Sequence, residues 1–170
     1  MEIGVMVKYE SNTKEGKCIF CEIAQGRISP LGKGTFYETK KYLAFLSPFP
    51  CTEGNSVIIP KKHFSSDVLA MPEEELKEFI VEAKKVAGIL LKKLESAGRV
   101  GLIMEGAGIN HAHIKLIPMH GTEYLKKGEW KQVLSGKEMF FEKYEGYLVS
   151  CDGPKADFAK LEMLAKKLKE

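Results

Sequence analysis

The chain has 170 residues, enough for one domain with a real core and marginal for two. Charged residues make up 29% and the net charge is only +3, which fits a globular chain without the concentrated basic patch of a nucleic-acid surface. No apolar run approaches the roughly 18 residues of a membrane span, and Met1-Glu2-Ile3-Gly4-Val5 is not a signal peptide, so a cytoplasmic location is expected.

Residues 1–17 show no clear period and are expected to form an N-terminal arm. Cys18-Ile19-Phe20-Cys21-Glu22-Ile23-Ala24 is short and apolar enough for one or two helical turns. In a reducing compartment its Cys-x-x-Cys points to metal before disulfide. Two buried free thiols or redox chemistry are the other readings. Pro30, Gly32 and Gly34 mark a loop. Three strands follow, at Thr35–Glu38, Tyr42–Ser47 and Ser56–Pro60, with a turn at Thr52–Asn55 and His63 just after the third.

Pro72 and three glutamates open a helix whose apolar residues, from Leu76 to Leu94, recur at three and four. Gly98 is its candidate C-cap. Val100–Glu105 reads as a fourth strand, and Gly106-Ala107-Gly108 turns into a fifth. Beyond His120 the expectation is an extension: Phe140–Leu148 as a strand or aromatic arm, then a helix from Gly153-Pro154 with Phe158, Leu161, Leu164, Ala165 and Leu168 on one face.

The fifth strand concentrates the chemistry. In Gly108-Ile109-Asn110-His111-Ala112-His113-Ile114-Lys115-Leu116-Ile117-Pro118, His111, His113 and Lys115 alternate with Ala112, Ile114 and Leu116. A period of two puts the apolar side chains on a core and the basic ones on the other face, about 7 Å apart. Three basic groups so placed suit an anion such as a phosphate. Pro118 is expected to stop the ladder.

His-Ala-His-Ile-Lys-Leu-Ile-Pro resembles the signature of the histidine triad (HIT) nucleotide-binding family, with Lys115 in place of the third His. The resemblance implies an α+β fold: an antiparallel sheet of about five strands, one long covering helix and a homodimeric assembly. It places the HIT-like domain at 18–120 and leaves 121–170 as an extension packed on the domain or on a dimer partner. It also implies zinc on Cys18, Cys21, His63 and His111, and a main-chain carbonyl that sets the tautomer of a nucleophilic His113. Ala44–Phe64 resembles the family's nucleotide-holding unit, with Ser47 where an Asp usually meets the ribose.

Gly108 and Asn110 can offer backbone N–H groups to phosphoryl oxygens, Lys115 an ammonium, and His120 a replacement proton donor. A lysine should hold phosphate but protonate a leaving group poorly. Glu105, near the place of a common Asn, is unfavourable beside phosphate unless it faces away. The expected function is a zinc-containing nucleotide hydrolase or nucleotidyl transferase acting on the α-phosphate through a covalent nucleotidyl-His113. A non-catalytic nucleotide-binding or regulatory module and a zinc-stabilised scaffold are the alternatives.

Overall fold

A computed structural model describes residues 18–30, 34–133, 135–149, 154–160 and 168. The chain divides into two compact units, 1–129 and 130–170. In the first, the elements run α1 (Ile19–Ala24), β1 (Thr35–Glu38), β2 (Tyr42–Leu46), β3 (Ser56–Pro60), α2 (Glu73–Lys93), β4 (Ala97–Ile103) and β5 (Ile114–His120), with 3-10 turns at Val68–Ala70 and Glu123–Lys127. The strands form one sheet in the order β1-β2-β3-β5-β4, every neighbouring pair antiparallel. The five expected strands and the long helix are therefore present, as an α+β fold.

The sheet is covered on both faces near its centre. On one face α2 lays Phe79, Ala83, Val86 and Leu90 against Tyr42, Ala44, Ile58, Ile114 and Leu116. The Tyr42 and Phe79 rings stack at 5.6 Å. Acids in the first turn of α2 and Lys92 and Lys93 in the last complement the helix dipole. On the other face α1 brings Phe20 and Ile23 onto Leu43, Phe45, Val57 and Ile59.

Several boundaries differ from expectation. The helix ends at Lys93 with Leu94 as its cap, and Gly98 lies inside β4, not at a C-cap. Gly98 is needed there for space: a Cβ would stand 1.7 Å from the Thr122 carbonyl oxygen, and its own N–H donates to Thr122 Oγ1 at 3.1 Å. β4 thus starts at Ala97 and stops at Ile103. Pro118 does not stop β5, which runs on to His120. The β3 pairing of β5 covers only Ile114 to Leu116, so Pro118 needs a partner on the β4 side alone, opposite Val100. In the second unit, residues 140–148 form no strand, and Phe141 meets Tyr147 edge-on at 5.4 Å. Residues 158–160 are helical; Leu161, Leu164 and Ala165 of the expected final helix, and the arm 1–17, lie outside the described residues. Among those residues, no helix is long and apolar enough to cross a membrane.

Candidate active site and metal-ligand cluster

The site forms where α1, the segment after β3 and the approach to β5 meet. His111 and His113 lie just before β5 in a tighter stretch, where the His111 N–H donates to Ile109 O at 2.8 Å. The Ala112 N–H donates to Phe64 O at 2.9 Å, which clamps the two histidines to the loop that carries His63. The expectation of a basic outer face is corrected here. His111 is 0% exposed and His113 4%, because α1 covers them. Phe20 stands edge-on to both rings, at 5.9 and 5.6 Å.

Cys18, Cys21, His63 and His111 come together, with one ligand atom of each within 4.8 Å of all the others. His111 Nδ1 lies 3.4 Å from Cys18 Sγ and 3.5 Å from Cys21 Sγ, and His63 Nδ1 is 3.3 Å from Cys21 Sγ. On its other side the His111 Nε2–H donates to Pro60 O at 2.8 Å, which aims Nδ1 at the thiols. Burial, together with His63 and His113, lowers the His111 pKa to about 4 against the raising effect of the Pro60 carbonyl, so the ring is neutral. Burial, the neighbouring Cys18 thiol and the charge of Glu22 push Cys21 up to about 11, against the lowering charge of Arg27. Two thiols and two imidazoles with their donor atoms within 4.8 Å of one another are a donor set that can hold a metal ion.

His113 stands apart from this cluster. Its Nδ1–H donates to the His111 carbonyl at 2.8 Å, which sets the tautomer and leaves a lone pair on Nε2. Burial lowers its pKa and that carbonyl partly opposes the shift. Next on the same face, Lys115 pairs in register with Val57 of β3 and Ile103 of β4. Its ammonium makes an ion pair with the carboxylate of Glu105, whose side chain is 10% exposed. Glu105 therefore turns toward the lysine. Burial lowers the Lys115 pKa, opposed by the charge of Cys51.

The remaining expected residues are placed less uniformly. Gly108 is exposed at φ +90°, and neither its N–H nor that of Asn110 bonds another described main-chain group, so both can serve an anion. The Asn110 side chain is occupied: its Oδ1 accepts from Ser66 N–H at 3.1 Å and from Ser65 Oγ at 3.4 Å. Ser47 follows β2, and its Oγ accepts from Phe49 N–H at 3.2 Å, leaving its O–H to donate. His120 is a correction. It ends β5 opposite Ala97, whereas Lys115 sits opposite Ile103, so the strand carries it away from His113. Both its ring nitrogens are engaged, with Ser96 Oγ at 2.6 Å and Glu53 O at 2.9 Å. It pins three chain segments. Phe20 and the Pro60 carbonyl were not legible as site groups, since an apolar ring or a main-chain oxygen carries no motif, whereas the main-chain carbonyl that the resemblance implies beside His113 is that of His111.

A family model described as HIT domain matches residues 32–122. An adenylylsulfatase of Arabidopsis thaliana is 30% identical over 148 residues, 85% of this chain and 72% of that protein. An adenosine 5'-monophosphoramidase of Schizosaccharomyces pombe is 31% identical over 111 residues, 63% of this chain and 77% of its own. Among solved structures, a Zn-bound histidine triad family protein from Mycobacterium smegmatis shares the fold with a TM-score of 0.55 at 22% identity, over 64% of this chain and 79% of that one. With that model spanning more than half of its length, and with His111 and His113 seated before β5, the chain belongs to the HIT domain family.

Proposed function

We propose that the protein is a zinc-containing nucleotide hydrolase or nucleotidyl transferase that works through a covalent nucleotidyl-His113. The observation that carries this is the 2.8 Å bond from His113 Nδ1–H to the His111 carbonyl, which leaves Nε2 as the nucleophile on a ring fixed by Phe20. Nε2 attacks the α-phosphorus, the bond to the leaving group breaks with its electron pair going to that group, and water or another acceptor later takes the nucleotide from the imidazole. Gly108 and Asn110 N–H groups would stabilise the phosphoryl oxygens, and the Ser47 hydroxyl would donate to the ribose. The nucleotide-acting relatives support this substrate class.

Zinc is supported by the geometry of its donors. A tetrahedral ion with Zn–S near 2.3 Å and Zn–N near 2.0 Å has S···N edges of about 3.5 Å; three of the four S···N separations are 3.3 to 3.5 Å, and all the donor atoms lie within 4.8 Å of one another. Four protein donors make a closed site, so the ion would fix α1 over His113 and supply no open position to substrate. An antiparallel β4 at the sheet edge supports the homodimer that the resemblance implies, through edge pairing of two copies.

The test is mass spectrometry of protein quenched during turnover of adenylyl sulfate and of an adenosine phosphoramidate. An acid-labile nucleotide adduct on His113 is expected. A second reading, a nucleotide-binding module without turnover, is favoured by the Lys115–Glu105 pair, since neither member is a good acid at neutral pH. Tight binding with no adduct would select it.

A further inference from the structure

The third basic position does not present a free cation. Lys115 lies two residues after His113, inside β5 where His113 stands just before it, and in the nucleotidyl-His113 reading it flanks the departing group. Glu105 reaches it from two residues beyond β4, just past the Ile103–Lys115 register pair. The carboxylate is nearly buried and the lysine side chain is 36% exposed, so salt screens the pair only partly. Among the described residues, Cys51 also acts on Lys115 electrostatically. Lys115 and Glu105 therefore form a pair with no net charge of its own.

This neutrality has a chemical consequence. A sulfate, carboxylate or phosphate chain leaves as an anion and needs no proton. A free ammonium would attract it, and a carboxylate beside that ammonium cancels the attraction. An amine leaving group is the reverse case. When its P–N bond breaks, the electron pair goes to nitrogen, which departs with a proton taken from water. A neighbouring carboxylate favours the protonated nitrogen and accepts a hydrogen bond from it. The two enzymatic relatives act on one leaving group of each kind, by their names a sulfate and an amine.

We infer that Glu105 is a specificity-determining residue: held against Lys115, it tilts the site toward amine leaving groups and away from anionic ones. The inference rests on the nucleotidyl-His113 reading.

The experiment compares kcat/KM for adenylyl sulfate and for an adenosine 5'-N-alkylphosphoramidate in the parent protein and in Glu105→Gln, each with metal content and Tm measured. In Glu105→Gln the amine-to-sulfate ratio should fall at least about tenfold, with sulfate turnover rising and amine turnover falling. The rise for sulfate should shrink with added salt and vanish in the Glu105→Gln, Lys115→Met double variant. If Glu105→Gln does not fold, Lys115→Met alone must move the ratio the other way, toward the amine. A ratio unchanged within twofold, or an equal loss for both substrates, overturns the inference while leaving the nucleotidyl-His113 reading intact. Failure of the parent protein to turn over either substrate sinks that reading, and this inference with it.

Discussion

The two neighbouring histidines differ in what their Nδ1 atoms face. His111 turns Nδ1 to the two thiols, whereas His113 gives its Nδ1–H to the His111 carbonyl. His113→Ala should accordingly abolish the nucleotide adduct and cut turnover by several orders of magnitude, while keeping full metal content by elemental analysis. Cys21→Ser should do the opposite at first, losing metal because a hydroxyl is a poor substitute for a thiolate. His120 offers a contrast at the same scale. Its bonds join β5 to Ser96 and to the β2–β3 turn, so His120→Ala should cost about 1 kcal/mol in denaturant unfolding and leave kcat near the parent value. A loss of turnover without a loss of stability would return His120 to the site.

α1 is a short helix with a disproportionate role. One residue, Phe20, packs on Phe45 and edges both histidine rings, and it is 5% exposed. Phe20→Ala should destabilise the protein by roughly 3–5 kcal/mol and also loosen the His113 ring, so kcat should fall more than nucleotide affinity. On the opposite face, α2 is tied to β1 by a buried carboxylate. Burial tends to raise the Glu82 pKa, but Lys85 and the Tyr37 hydroxyl, at 2.5 Å, outweigh it and leave it below the ordinary value. A depressed carboxyl contributes stability above its unfolded pKa, near 4.3. That contribution is lost as pH falls through the lower folded value. Urea midpoints of Glu82→Gln should therefore lie below the parent at pH 7, and the gap should close toward pH 3.

At the scale of the whole first unit, the donor cluster ties α1, at the start of the described chain, to the middle of the sheet. Cys18 and His111 are 93 positions apart, and Cys21 and His63 are 42 apart. A bound ion closes these long loops, so chelation should lower the Tm by several degrees and expose α1 to proteolysis before the β-sheet. Unchanged Tm on chelation of metal-loaded protein would show that hydrophobic packing of α1 suffices alone.

What the sequence determined by itself follows from local periodicity and from residue type. Alternation and β-branched runs set β1, β2 and β3 within a residue, and the three-and-four spacing of Phe79, Ala83, Val86 and Leu90 set the face of α2. Cys18 and Cys21 were legible as metal ligands from their type and spacing, and His63 and His111 through the resemblance to the family. Tertiary structure decided the rest. The basic face of the triad segment is buried because α1 folds back over it, which no local pattern encodes. Pro118 continues a strand because β3 has already ended beside it, and Gly98 serves close approach to Thr122, not a helix cap. His120 lies at the far end of β5 from Lys115, and Glu105 meets Lys115, because of the β4–β5 register. Each of these depends on which distant backbone lies alongside, a property of the assembled sheet that a window of neighbouring residues cannot contain.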